Sequence, residues 1–214
     1  MAESKLSIEI GLGFSYKICD IRPAYGIIFD DYIKDYDFWG YCDIDVIFGD
    51  IRKFMSERLL KKYDVISARP EFLSGYFSLF RNSPETNTLF KVSKDYEQTF
   101  TSIEYKNFDE CGYRHKELLY HNMNVGELED KYECMTYVLK KKCKNNGIKV
   151  FFDLIALEFN PGNIAWKEGK IIYADKIEAL LYHLIQFKKD PKSVIPDWET
   201  IPDSYKIEAY EFFK

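Results

Sequence analysis

Two aspartates one residue apart, Asp43 and Asp45, sit in the segment YDFWGYCDIDVIFGD, residues 36–50. An aromatic run, Phe38-Trp39-Gly40-Tyr41-Cys42, leads into them, and Val46-Ile47-Phe48 follows. Acids framed by core-type residues on both sides are poorly explained as part of a solvated face. At the end of a strand, positions i and i+2 point to the same side. Two carboxylates so placed repel each other unless a cation or a positive partner lies between them. Carboxylate oxygens suit hard divalent ions such as Mg²⁺ or Mn²⁺, which leave further positions for water and substrate phosphates. The chemistry this allows is Lewis-acid stabilisation of a charged leaving group.

A second acidic pair, Asp109-Glu110, lies in NFDECGY. A carboxylate between apolar neighbours can have a raised pKa and act as a general base; the competing reading is a solvated acidic turn. Lys17, Asp20 and Arg22 stand at the start of a segment patterned as a helix, and a helix N-terminus with basic residues nearby can hold an anion. The alternative is an ordinary cap with solvated flanking charges. Ser74-Gly75 and Arg81-Asn82 flank an apolar run. Gly75 lets backbone approach a ligand closely, and Arg81 and Asn82 can hydrogen-bond hydroxyls or phosphate, or simply end a strand. His115 and His121 are six residues apart, off the spacing of a helical ligand pair, and read as structural or surface residues. Trp166 and Trp198 can stack on sugar rings, with packing the simpler role.

The elements that must position these residues follow from pattern. A helix is expected over 21–34, with Asp20 as N-cap and Pro23 in its first turn. Strands are expected at 38–42, 63–68 and 76–80, with helices over 50–62, 84–92 and 127–145, the last capped near Asn145-Asn146-Gly147. Three more strands read out at 150–159, 163–167 and 170–174, and Lys167-Glu168-Gly169-Lys170 signals a hairpin turn. Helices alternating with strands and followed by a hairpin predict one α/β domain over 1–214 with a mixed sheet.

The runs YKICDIRPAYG (16–26), YDFWGYCDIDVIFGDIRKF (36–54), YDVIS (63–67), SGYFSLFRN (74–82) and, later, YHLIQFKK (182–189) together resemble a bacterial glycosyltransferase family. Its members have a GT-A-like, Rossmann-related fold and are associated with capsule, exopolysaccharide and lipopolysaccharide assembly. The resemblance implies a nucleotide-sugar donor, a glycan or lipid-linked glycan acceptor, and Mn²⁺ or Mg²⁺ as cofactor. It implies that Asp43 and Asp45 hold the metal against the diphosphate and that His183 is a further ligand, a role neutral imidazole suits. Lys188 and Lys189 then become candidate diphosphate contacts, with a helix-end histidine and surface lysines as the bland alternative. Lys17, Asp20 and Arg22 would lie by the donor, Gly75, Arg81 and Asn82 by the substrate, and Glu110 or Asp109 would be the base.

Only 42 residues precede Asp43, fewer than the strand–helix–strand unit of such a fold requires. The expectation is therefore an N-terminally shortened GT-A-like sheet. A missing strand would leave an open edge that favours self-association. The sequence also leaves open a non-catalytic remnant or interaction protein of the same fold, and, as a weaker reading, a metal-dependent phosphoryl-transfer or nuclease enzyme.

Composition narrows the partners. The 214 residues carry a net charge of −5, which argues against a general nucleic-acid binder. No run approaches the length of a membrane helix, and the first residues lack the pattern of a signal peptide. Five cysteines without a C-x-x-C fit a reduced, cytoplasmic chain. Peripheral association with the inner face of a membrane is compatible with the family. The chain is rich in rings, with 17 Tyr, 17 Phe and 3 Trp, a content that suits half-wet grooves as well as cores.

Overall fold

A computed structural model describes residues 1–121, 127, 132–142, 147–159 and 162–214, with Lys141 and Lys142 described by their backbone alone. The expected cap at Asn145-Asn146 lies outside the described residues. The described strands are β1 (Phe38–Cys42), β2 (Val46–Phe48), β3 (Val65–Ser67), β4 (Phe77–Arg81), β5 (Val150–Phe151), β6 (Ala156–Leu157), β7 (Ile164–Lys167), β8 (Lys170–Tyr173), β9 (Ile177–Ala179), β10 (Leu181–His183), β11 (Ser204–Ile207) and β12 (Phe212–Phe213). With short helices between them they make a mixed α/β protein of three sheets. The chain gathers into two units, residues 1–42 with 61–153 and residues 43–60 with 154–214.

The first unit is built on a four-stranded sheet ordered β1-β4-β3-β5, antiparallel except for the parallel pair β3–β5. Val65, Ile66 and Ser67 of β3 are all buried, as expected of an inner strand covered on both faces. On β1, Trp39 and Tyr41 point inward and Gly40 outward, the alternation of a strand with one covered face. Trp39 lies opposite Phe80 of β4 and stacks on it, with ring centroids 4.6 Å apart. Phe90, Phe100 and Phe108 continue the core as a chain of ring contacts 5.5 and 5.7 Å apart. Much of the aromatic excess is thus packed in this core.

The helix expected over 21–34 is a 3₁₀ segment, Ser15–Ala24, followed by single turns at Tyr25–Ile28 and Asp30–Ile33. Pro23 lies inside the segment and removes a backbone donor there. Asp20 is not a cap: it is fully buried within the segment. The helix expected over 84–92 divides likewise. Ser83 and Thr86 form a capping box for Pro84–Asn87, and a 3₁₀ turn, Leu89–Val92, follows.

The second unit holds a three-stranded sheet, β2-β10-β6, and a five-stranded antiparallel sheet, β12-β11-β7-β8-β9. The hairpin stands where the sequence placed it. β7 and β8 pair from Ile164↔Tyr173 to Lys167↔Lys170, and both turn residues, Glu168 and Gly169, have positive φ, 50° and 77°. Ile164, Ile171, Tyr182, Phe187, Tyr205 and Ile207 form this unit's core. Trp166 stacks on Tyr205 and its indole donates to the Phe48 carbonyl, so it is a packing residue.

Two expectations are corrected here. The run 150–159 is not one strand: Val150–Phe151 pairs with β3 in the first unit, and Ala156–Leu157 pairs with β10 in the second. The helix expected over 50–62 breaks at Met55 into Ile51–Phe54 and Glu57–Lys62. The Asp50 carboxylate caps the first of these by accepting from the Lys53 N–H at 3.1 Å.

Candidate metal centre

β10 is the middle strand of its sheet, and Leu181, Tyr182 and His183 are all buried. Its antiparallel partner β2 sets Val46 opposite His183. The residue before Val46 is Asp45, so register alone carries that acid to the histidine. The parallel partner β6 sets Leu157 opposite Tyr182, which brings the next residue, Glu158, beside His183. Asp43-Ile44-Asp45 forms the turn into β2. Ile44 projects fully into solvent while the two acids are largely covered, so the turn sorts its side chains by direction.

The His183 ring lies between these groups. Its Nε2 is 3.6 Å from Asp43 Oδ2 and 3.5 Å from Asp45 Oδ1. Its Nδ1 is 3.4 Å from Glu158 Oε1. Lys188, on the helix Ile185–Lys189, places its ammonium 2.7 Å from Asp45 Oδ2. One donor atom from each of Asp43, Asp45 and His183 lies within 4.8 Å of the others. Burial favours the neutral form of Asp45, but the hydrogen bond from Lys188, together with the charge of that ammonium, outweighs it and holds the carboxyl below the usual carboxylate range. Two carboxylate oxygens and an imidazole nitrogen are a donor set suited to Mn²⁺, and the carboxylates alone to Mg²⁺. The residues present therefore fit a divalent cation.

Four of the other candidate residues meet in the first unit, around Gly75. Its N–H donates to Glu110 Oε1 at 2.6 Å and its carbonyl accepts from Arg22 Nη1 at 2.9 Å. Arg22 Nη1 also lies 3.4 Å from Asp109 Oδ2, and its guanidinium sits over the Tyr41 ring. A Cβ on residue 75 would come within 2.9 Å of Glu110 Oε1 and 3.2 Å of both Arg22 and Asp109. The close approach that glycine permits here is that of protein side chains. Glu110 Oε2 accepts from Asn107 at 2.8 Å and lies 3.0 Å from His115 Nε2. Burial pushes the Glu110 carboxyl up, but His115, Asn107 and the Gly75 N–H more than offset it, so its pKa is lowered. The raised pKa expected of a base is reversed at Glu110.

The remaining candidates are in the interior or at strand ends. Lys17 is fully buried, and its ammonium donates to Asp20 Oδ2 (2.8 Å) and to the Thr99 and Glu104 carbonyls (2.6 and 2.8 Å). An ammonium has three donors, and all three are used within the protein. Asp20 also accepts from the backbone N–H groups of Lys106 and Phe108 at 2.8 and 2.7 Å. This pair stitches chain segments together instead of meeting a phosphate. Arg81 donates to Asp64 Oδ1 at 2.8 Å and to the Tyr63 carbonyl at 3.0 Å. Asn82 donates to the Ile33 and Tyr36 carbonyls and accepts from Asn87. Both fasten the end of β4 to neighbouring loops.

One residue at these clusters escaped the sequence. Glu158 directly follows β6, and the only local signal is an acid closing an apolar strand. His115, expected to be a structural or surface residue, is structural: it pairs with Glu110 and sets its ring edge-on to Phe72.

The fold and the site together define a mixed α/β protein with a carboxylate–imidazole cluster able to take a divalent ion. The chain belongs to the family DUF6625, a family of unknown function, which matches residues 1–214. No curated protein and no solved structure matches it.

Proposed function

We propose that this protein is a metal-dependent glycosyltransferase with a GT-A-like fold, moving a sugar from a nucleotide-diphosphate donor to a glycan or lipid-linked glycan acceptor. The observation that carries the reading is the meeting of His183 with Asp43 and Asp45, residues about 140 positions apart in the chain, within 4.8 Å. That three-residue set is the one the glycosyltransferase resemblance implied. Asp43, Asp45 and His183 would hold Mn²⁺ or Mg²⁺, and the ion, when bound, would neutralise charge on the departing diphosphate. His183, buried and set by strand register, fixes one donor; the two acids come in on the turn before β2. Lys188 neutralises part of the acidic cluster and, on a half-exposed side chain, can turn from Asp45 to a phosphate oxygen.

The cluster at Gly75 does not supply the base through Glu110, whose two oxygens are engaged and whose pKa is lowered. It acts as a scaffold for the loop before β4. Among the described residues no helix is long and apolar enough to cross a membrane. A cytoplasmic enzyme meeting its acceptor at the inner membrane face belongs to the same proposal.

Calorimetry with nucleoside diphosphates in the presence of Mn²⁺ tests the reading. The wild type should bind at least one of them and Asp45→Ala should lose that binding. Equal affinity in the two proteins removes the site, and a wild type that binds Mn²⁺ but turns over no nucleotide sugar favours a non-catalytic protein of the same fold.

A further inference from the structure

We infer that Glu158 is the positioning residue of this centre: it holds the His183 ring so that Nε2, and not Nδ1, faces the two aspartates. The inference rests on the metal-binding reading above. Imidazole has two ring nitrogens with different roles, and which one is free to ligate is set by the hydrogen bond the other makes. Here the two are assigned to different partners. Nδ1 lies 3.4 Å from Glu158 Oε1, while Nε2 lies 3.5 Å and 3.6 Å from the aspartates. With the proton on Nδ1 and donated to the carboxylate, the lone pair is left on Nε2, the ring nitrogen that lies 3.5 Å and 3.6 Å from the Asp45 and Asp43 oxygens.

The backbone makes the arrangement durable. Glu158 is tied to His183 by the parallel pairing of β6 with β10, and Asp45 by the antiparallel pairing of β2 with the same strand. The acids therefore approach the ring from the two strands that flank it. Glu158 is not itself in the group of donor atoms that lie within 4.8 Å of one another. It acts on the metal through His183. A carboxylate behind a ligating histidine also raises the basicity of the ligating nitrogen, and loss of such a partner typically costs roughly 10- to 100-fold in metal affinity.

Two measurements test this in the full chain. Mn²⁺ alone is titrated calorimetrically into wild type, Glu158→Gln, Glu158→Ala and His183→Ala. Glutamine keeps an acceptor for Nδ1–H, so Glu158→Gln should stay within about fivefold of wild type, Glu158→Ala should weaken by roughly 10- to 100-fold, and His183→Ala should weaken at least as much. Wild-type affinity in Glu158→Ala overturns the inference. A loss in Glu158→Gln as large as in His183→Ala overturns it too, by making Glu158 a ligand. The second measurement needs no metal. Nitrogen-15 spectra of the His183 ring at alkaline pH, where imidazole is neutral, should show the Nδ1–H form in wild type and Glu158→Gln and a mixture of both forms in Glu158→Ala. A mixture already in the wild type overturns the inference whatever Mn²⁺ does. A fixed Nδ1–H form in a protein that binds no Mn²⁺ overturns the metal reading and leaves the positioning by Glu158 standing.

Discussion

Lys17→Met separates a structural lysine from a phosphate-binding one. Methionine replaces most of the aliphatic stem, so the change removes the ammonium and little packing. Three hydrogen bonds go with it: to Asp20 Oδ2, and to the Thr99 and Glu104 carbonyls. Lys17 and Asp20 are both fully buried, so water cannot replace the lost partner. Breaking a buried ion pair by removing one member costs about 3–5 kcal/mol. Asp20 keeps two backbone donors, Lys106 and Phe108, and these partly satisfy its charge. The expected loss is therefore at the lower end, about 3 kcal/mol, a large share of a typical domain's 5–15 kcal/mol. Urea unfolding reads this as a fall in midpoint. Adding Asp20→Asn removes the stranded charge, so the double variant should be less destabilised than the sum of the two single ones. Nucleoside-diphosphate affinity, measured well below the unfolding transition, should be unchanged. A stability loss under about 1 kcal/mol together with weakened nucleotide binding refutes the reasoning, because a lysine that contributes binding and not stability is not held as the structure holds it.

Three further outcomes follow from the two clusters. Lys188→Met removes a half-exposed ammonium that competes with a metal for Asp45; such pairs are worth about 0.2–1 kcal/mol, so Mn²⁺ should bind up to about fivefold more tightly by calorimetry, while a nucleoside diphosphate added with Mn²⁺ should bind more weakly. Weaker Mn²⁺ binding would make Lys188 a support of the centre and sink the competition argument. Glu110 has a lowered folded-state pKa, so its stabilising contribution is present above its unfolded value of about 4.3 and is lost as pH falls through the folded one. The gap in urea midpoint between wild type and Glu110→Gln should be full at pH 7 and close in acid below that value; a gap that does not depend on pH contradicts the hydrogen-bonded, ionised Glu110. Gly75→Ala sets a methyl 2.9 Å from Glu110 Oε1 and should destabilise by about 1–3 kcal/mol, the range for overpacking. A neutral result there would mean that Arg22 and Glu110 give way freely.

What could be read from the sequence divides along the line between local and register-dependent facts. β1 and the β7–β8 hairpin were legible because each is specified locally, by an aromatic run in one case and by Glu168-Gly169 between two apolar runs in the other. The acidic pair was legible because its residue types and its apolar frame pointed the same way. In the sequence the partnership of His183 with that pair is implied only by a family resemblance, since it depends on β10 pairing with β2, far apart in the chain. Glu158 was invisible for a related reason. The run VFFDLIALEF reads as one strand, and only its division between two sheets places residue 158 at a strand end beside His183. Lys17 and Asp20 were misplaced because type and spacing do not encode burial. An i,i+3 lysine–aspartate pair suits a solvated helix start as well as an interior ion pair, and the acceptors that decide between them, Thr99 and Glu104, lie more than eighty residues away. In each case the decisive contact is non-local, and the residues that make the centre able to hold a cation are those that strand register brings together.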